Sequence, residues 1–322
     1  MQPAIRLSQT AQERLRCPIC HAHLRLEGQH FICTQATCAT RFPIIDGTPV
    51  LLNERASVFS IADYVTPPAA PLTRPGKFKQ AVRHLTPAIS QNLKGRENYQ
   101  RLHDLLCAQT ASPRVLVVGG SILGQGMETL VAESALELVE SDVVFGPRTA
   151  LICDAHDIPF EDGAFDGVIV QAVLEHVVDP YRCAAEIHRV LVTGGLVYAE
   201  TPFMQQVHMG RHDFTRFTHL GHRRLFRHFA EIDSGAVCGP GMALAWSYQY
   251  FLLSFTTAPW LRGLLRIFAG FTAFWLTYFD HLLIDKPGAL DAASGYYFLG
   301  RRSEQALSDR ELMGLYRGMD SL

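Results

Sequence analysis

From residue 114 onward the chain alternates short apolar runs with helical ones, and this alternation limits its fold more than any other feature. Residues 114–118 read as a buried strand that ends in a Gly-rich turn and gives way to helix over 126–134. Apolar runs at 136–140, 149–153, 166–170 and 196–200 read as four further strands. Before the last of these, Asp179-Pro180 opens a helix over 180–192 that Gly194-Gly195 ends, since Asp caps first-turn amides and Pro is tolerated in that turn. Such connections place parallel strands in one sheet with helices on both faces, so the expected class is α/β. Two later strand candidates, 230–238 and 295–300, flank an apolar segment over 241–285.

The 322 residues carry a net charge of −2, which argues against a protein that holds nucleic acid mainly by bulk charge. Hydrophobic residues make up 48% and charged residues 19%, enough apolar surface to exclude a wholly disordered chain. Residues 1–16 are polar and hold no apolar stretch of signal-peptide length, so a cytoplasmic location with reduced thiols is expected. Clustered cysteines in that setting point to metal rather than to disulfides. Pro67, Pro68, Pro71 and Pro75 mark residues 56–90 as a linker, and 91–110 can form a helix with Leu93, Leu102, Leu105 and Leu106 on one side.

Cys17-x-x-Cys20 is followed by Cys33-x-x-x-x-Cys38. Each pair suits a tight knuckle, and a hairpin can bring two knuckles around one tetrahedral Zn2+ with every position filled by protein, a structural site. His21, His23 or His30 could replace one ligand. With Phe42-Pro43-Ile44-Ile45-Asp46-Gly47-Thr48-Pro49-Val50-Leu51-Leu52, these cysteines resemble the zinc-ribbon family that includes the activator subunit of tRNA and protein methyltransferases. The resemblance covers residues 15–53 and implies a folding and docking role.

The strand Val115-Leu116-Val117-Val118 runs into Gly119-Gly120-Ser121-Ile122-Leu123-Gly124-Gln125-Gly126, and glycines at such a turn let a ligand approach the backbone. Asp142 ends the second strand, where a carboxylate can accept bonds from a ribose diol, and Asp154 ends the third. Residues V-L-V-V-G-G, D-A-H-D-I-P-F-E-D-G-A-F-D-G-V-I-V, L-E-H-V-V-D-P and E-I-H-R-V-L-V-T-G-G-L-V resemble class I S-adenosylmethionine-dependent methyltransferases, in the group related to ubiquinone-pathway enzymes. The resemblance spans residues 114–230. It implies a Rossmann-like seven-stranded sheet with a final antiparallel hairpin. It also implies that Gly119 and Gly120 line S-adenosyl-L-methionine, that Asp142 takes the ribose hydroxyls, and that Asp154 takes the adenine amino group with Ala155 beside the ring. Val118 stands where that group usually carries Asp or Glu, and Ile122 and Leu123 lengthen the glycine turn.

Acceptor-side groups belong at the carboxyl ends of the strands. Glu175-His176 follows the fourth strand, Glu200 ends the fifth, and the next loop holds His208, His212, Asp213, Arg216, His219 and His222. Glu175 and His176 are candidate catalytic residues by position; His208 and Asp213 join them because related methyltransferases carry a similar P-F…H…D-x-x-R-F-T run. His219 and His222 read as solvated loop residues. Segment 241–285 suits an interface-bound helix, a lid over an apolar substrate, a dimer contact or a helical cover buried on the sheet. In its second half, Arg262, Arg266, Ala273, Thr277 and Asp280 fall on one helical face.

The expected organisation is a zinc ribbon over 1–55, the linker over 56–90, a methyltransferase domain over 91–240 and 286–322, and the insertion over 241–285. The expected activity is methyl transfer to a small-molecule or lipid-like acceptor, with peripheral membrane contact or a homodimer through 241–285. Two alternatives stand beside it, an RNA base methyltransferase and a catalytically silent scaffold that binds a partner protein.

Overall fold

A computed structural model describes residues 4–65, 85–132 and 135–319. Five parallel strands form its centre: β5 (Arg114–Val118), β6 (Glu137–Asp142), β7 (Leu151–Cys153), β8 (Phe165–Gln171) and β9 (Leu191–Pro202). They pair in the order β7-β6-β5-β8-β9. The runs of β5, β7 and the centre of β8 are apolar without alternation because both faces are covered, whereas β6 alternates and buries Val139 and Ser141. The Gly95–Gln109 helix lays Tyr99, Leu102 and Leu106 against Val115, Val117 and Ile169. On the other face, the Pro180–Val190 helix lays Cys183, Ile187 and Val190 against Leu116, Val168 and Val197. Two antiparallel strands, β10 (Phe229–Cys238) and β11 (Gly295–Arg302), close one side in the order β9-β11-β10.

The expected count of seven strands is corrected to a continuous sheet of eleven among the described residues. The other four come from the N-terminal block: β1 (Leu24–Glu27), β2 (His30–Cys33), β3 (Arg41–Ile45) and β4 (Thr48–Leu51). They form an antiparallel series, and Val50 and Leu51 of β4 then pair in parallel with Ile152 and Cys153 of β7. The reason lies in the Thr48–Leu51 run, buried at every position, which supplies an apolar partner for an otherwise bare strand edge. Cys17, Phe31, Cys33 and Phe42 accordingly share one buried cluster with Leu116 and Val168.

Asp179 caps the Pro180–Val190 helix as the sequence predicts, its carboxylate accepting from the Tyr181 and Arg182 amides at 3.1 Å each. The helix ends earlier than expected, and β9 starts at Leu191, before Gly194-Gly195. Gly194 sits at φ +75°, and the pairing with β8 jumps from Phe165↔Leu191 to Gly167↔Leu196, so the glycines form an irregularity within the strand. The helix expected over 126–134 covers Glu128–Ala132 among the described residues. The proline cluster of the expected linker lies outside the described residues.

Between β10 and β11, the Pro240–Leu253 and Pro259–Ala273 helices pack on one another, followed by a 3₁₀ turn over Phe274–Phe279. The face expected from Arg262 to Asp280 does not form, because the helix stops at Ala273 and turns Ala273, Thr277 and Asp280 inward. Phe251, Phe255, Trp260, Leu264, Phe268, Phe271 and Trp275 instead point outward, 48–73% exposed. Among the described residues no helix is long and apolar enough to cross a membrane.

Candidate functional site

The sheet's polar groups gather where the parallel strands end. At the end of β5, the Gly119 and Gly120 amides both donate to the Ser141 carbonyl at 2.9 Å. Gly119 adopts φ +81°, and a Cβ there would lie 2.3 Å from Val173 Cγ2, so only glycine fits the turn. Asp142, ending β6, accepts from the Ser121 amide at 2.9 Å and from the Val143 and Val144 amides at 2.7 and 3.1 Å. Asp154, just past β7, accepts from Ser57 Oγ at 2.5 Å and from the amide and Nδ1 of His156 at 3.0 and 2.5 Å. Burial alone would raise its carboxyl, but His156 and Ser57 together hold it below the ordinary value. Ala155 is buried beside it.

Residues 53–65, which no local pattern places here, lie against these strand ends. Asn53 donates to Asp157 at 3.1 Å, Ser57 to Asp154, and the Tyr64 hydroxyl to the Val143 carbonyl at 2.7 Å. No periodicity in those thirteen polar and mixed residues signals this contact.

The second group lies beyond β8. The glycine turn and this group are linked through Val173, which touches Gly119 and stands two residues before Glu175. Glu175 is fully buried, and neither carboxyl oxygen has a hydrogen-bond partner. Burial pushes its carboxyl up to about 8. Two imidazoles face it, with His176 Nε2 at 3.6 Å and His208 Nε2 at 3.8 Å from Glu175 Oε1, their rings 4.8 Å apart and edge to face. His176 Nδ1 lies 2.9 Å from the His212 carbonyl, which fixes the proton on Nδ1 and leaves the Nε2 lone pair facing inward. Burial and the neighbouring His208 both lower the His176 pKa.

His208 Nδ1 lies 3.5 Å from Asp213 Oδ2 and 3.3 Å from the Gln206 carbonyl. Desolvation of the Asp213 side chain, which is 1% exposed, would alone raise its carboxyl; the Arg216 guanidinium and the His208 amide hold it well below the carboxylate range. The four candidate residues Glu175, His176, His208 and Asp213 therefore converge, although they come from two separate loops.

Glu200 belongs to a different network. Tyr198 Oη, Gln171 Nε2 and Asn92 Nδ2 donate to it at 2.5, 2.8 and 2.8 Å, and Tyr99 Oη meets Gln171 at 3.0 Å. The expectation that His219 and His222 are solvated is corrected. Both are buried, on the His219–Leu225 helix, where His222 packs against Phe226 and Phe298 and His219 against Tyr296. Helical spacing turned them both toward the sheet.

The four sulfurs of Cys17, Cys20, Cys33 and Cys38 come within 4.8 Å of one another, with Cys17–Cys38 at 3.8 Å and Cys20–Cys33 at 3.4 Å. A tetrahedral zinc with bonds of about 2.3 Å sets sulfurs about 3.8 Å apart, so this donor set fits one.

Residues 117–199 match the family model described as a methyltransferase domain. The matched stretch holds the glycine turn, Asp142, Asp154, Glu175 and His176. No curated protein matches the chain. Among solved structures, a Galdieria sulphuraria protein provisionally described as a sarcosine dimethylglycine methyltransferase is 13% identical, covering 71% of this chain and 98% of its own, at a TM-score of 0.42. Haemonchus contortus phosphoethanolamine N-methyltransferase 2 with bound S-adenosyl-L-methionine is 14% identical, covering 65% and 53%, at 0.40. Burkholderia thailandensis 1,6-didemethyltoxoflavin-N1-methyltransferase is 16% identical, covering 74% and 94%, at 0.37. At these scores none of the likenesses decides substrate or mechanism.

Proposed function

We propose that this chain is an S-adenosylmethionine-dependent methyltransferase acting on a small, lipid-like acceptor. The observation that carries the reading is the methyltransferase-domain match over a stretch that sets Gly119, Gly120, Asp142 and Asp154 at the ends of three adjacent parallel strands. The donor set fits the adenosine half of the cofactor: Asp142 for the ribose hydroxyls, and Asp154 with Ala155 for the adenine. It fits the amino-acid half less well, since β5 ends in Val117 and Val118 and offers no carboxylate to an ammonium. When bound, the cofactor supplies an electrophilic methyl group, and the chain's own work is then to position an acceptor and manage its proton.

Glu175, His176, His208 and Asp213 are the residues for that work. The imidazoles of His176 and His208 present Nε2 toward Glu175 and can accept the proton of an acceptor hydroxyl. Asp213, held ionised by Arg216, orients His208 from its Nδ1 side. A lipid-like acceptor is favoured by the neighbouring insertion. Trp246 packs 6.3 Å from His208, and Tyr250 donates to the Val207 carbonyl, so the Pro240–Leu253 helix lies on the acceptor loop. The outward aromatic residues suit contact with a membrane surface, where Trp and Phe enter the headgroup boundary. We assign the cysteine cluster one structural zinc and a docking role for the N-terminal strands.

Calorimetry with S-adenosylhomocysteine tests the cofactor reading. Asp142→Ala should weaken binding by roughly 1.5–3 kcal/mol, the range for hydrogen bonds to a charged group. Failure of the unmutated chain to bind would refute it. Liposome co-sedimentation of the intact chain should fall for Phe268→Glu/Phe271→Glu, and equal partition would refute the membrane contact.

A further inference from the structure

We propose that Glu175, His176 and His208 form a second metal site, one that takes a divalent transition-metal cation and leaves a coordination position open. The three donor atoms lie within 4.8 Å of one another, and the two Nε2–Oε1 separations are 3.6 and 3.8 Å. Bonds of about 2.0–2.2 Å from oxygen and imidazole place tetrahedral donors about 3.4 Å apart, so both nitrogen–oxygen edges are already close to a ligating arrangement. Two histidines and one carboxylate are a ligand set that zinc enzymes use with a fourth position free.

Glu175 gives the independent reason. A fully buried carboxyl whose two oxygens both lack a partner is a costly arrangement, and a cation between it and the imidazoles would satisfy it. The surroundings of the two rings match as well. His176 Nδ1 is held by the His212 carbonyl, while His208 Nδ1 lies 3.3 Å from the Gln206 carbonyl, with Asp213 and the Arg216 guanidinium beside it. Metal-ligating histidines are oriented in this way, the outer nitrogen bonded to a carbonyl or carboxylate and the inner one free. Arg216, which pairs with Asp213, keeps that outer carboxylate from competing for the cation.

The site deepens the methyltransferase reading and rests on it for its role, though not for binding metal. An open position on such a cation takes an oxygen ligand, so the acceptor class becomes a hydroxyl or enol oxygen. A ligated Nε2 cannot also take a proton, so proton acceptance by the imidazoles belongs to the metal-free site; with a cation held there, the cation would acidify the bound hydroxyl and its proton would pass to solvent.

The test uses the full chain, stripped of metal and titrated with Co2+, with visible absorption and metal counting as readouts. Two equivalents should bind, one with thiolate charge-transfer bands and one without. Glu175→Gln and His208→Gln should each weaken the band-free equivalent at least ten-fold while leaving the thiolate bands and the far-ultraviolet circular dichroism unchanged. Cys20→Ser should remove the thiolate bands and leave the band-free equivalent in place. Cobalt binding that is the same in Glu175→Gln, His208→Gln and the parent chain would overturn the proposal, as would a parent chain that binds only at thiolates. Calorimetry with S-adenosylhomocysteine on the same samples separates the two readings. Nucleoside binding without the second cobalt overturns only the metal site, and cobalt binding without nucleoside binding overturns only the methyltransferase.

Discussion

Asp280 should decide whether the helical insertion is held by its first turn. The residue is 2% exposed, and its Oδ1 and Oδ2 accept from the Gly241 and Met242 amides at 2.6 and 2.9 Å. Those amides open the Pro240–Leu253 helix and have no partner within it. The fit requires Gly239 and Gly241, where a Cβ would come 2.4 Å from the Asp280 carboxyl carbon and 2.1 Å from the Leu276 carbonyl oxygen. Asp280→Ala leaves two buried amides unpaired, at about 1–3 kcal/mol each. Part of that is offset, because burial pushes the Asp280 carboxyl above its ordinary value and its removal relieves that desolvation. The net loss should be about 2–4 kcal/mol. Asp280→Asn keeps one oxygen acceptor but turns its amide nitrogen toward the second backbone N–H, so it should lose about 1–3 kcal/mol, less than the alanine variant. The sign with pH follows from the raised carboxyl. Its contribution is complete below the unfolded value and is lost as pH rises through the folded one, so the asparagine variant should gain on the parent over that window. Urea unfolding followed by circular dichroism and by Trp246, Trp260 and Trp275 fluorescence measures all three. An alanine variant within about 0.5 kcal/mol of the parent, or an asparagine variant as unstable as the alanine one, refutes the reasoning.

Burial holds His222 down to about 3 and His219 down to about 4, so both are neutral in the fold. Their contribution is present above the unfolded value near 6.5 and is lost as pH falls toward those folded values. His222→Phe should therefore flatten the acid limb of the urea midpoint, and an unchanged limb counts against it. Gly119→Ala should lose about 2–4 kcal/mol from its left-handed backbone and the Val173 clash together, and adding Val173→Ala should recover only the clash. A neutral Gly119→Ala in thermal unfolding would show that the turn tolerates a side chain. Chelation or Cys20→Ser should melt β1–β3 while β5–β9 keep their amide-exchange protection, and an N-terminal block that stays protected without metal contradicts zinc ligation.

The parallel centre was legible because buried parallel strands leave unbroken apolar runs, such as 114–118 and 166–170, with caps and glycines between them. Asp179 showed its role at once, since capping needs only local chain. The boundary at Gly194-Gly195 was misread because a glycine pair marks a helix end and a strand irregularity equally well. The convergence of Glu175 with His208 rests on loop paths 33 positions apart, and local pattern carries no information on those. The same limit hid the contact of Ser57 with Asp154 and the burial of His219 and His222, whose polar side chains imitate a solvated loop.

The join between β4 and β7 ties the thiols to the behaviour of the whole molecule in solution. β7 is three residues long, and β4 pairs with its outer edge. Bare strand edges recruit strands from other molecules. Oxidation of the cysteine hairpin would therefore reach past the N-terminal block and expose an adhesive seam on the central sheet. Damage at Cys17 or Cys38 would then be read first as turbidity and oligomers, and solubility under oxidant becomes a property set at the cysteine hairpin, away from the centre of the sheet.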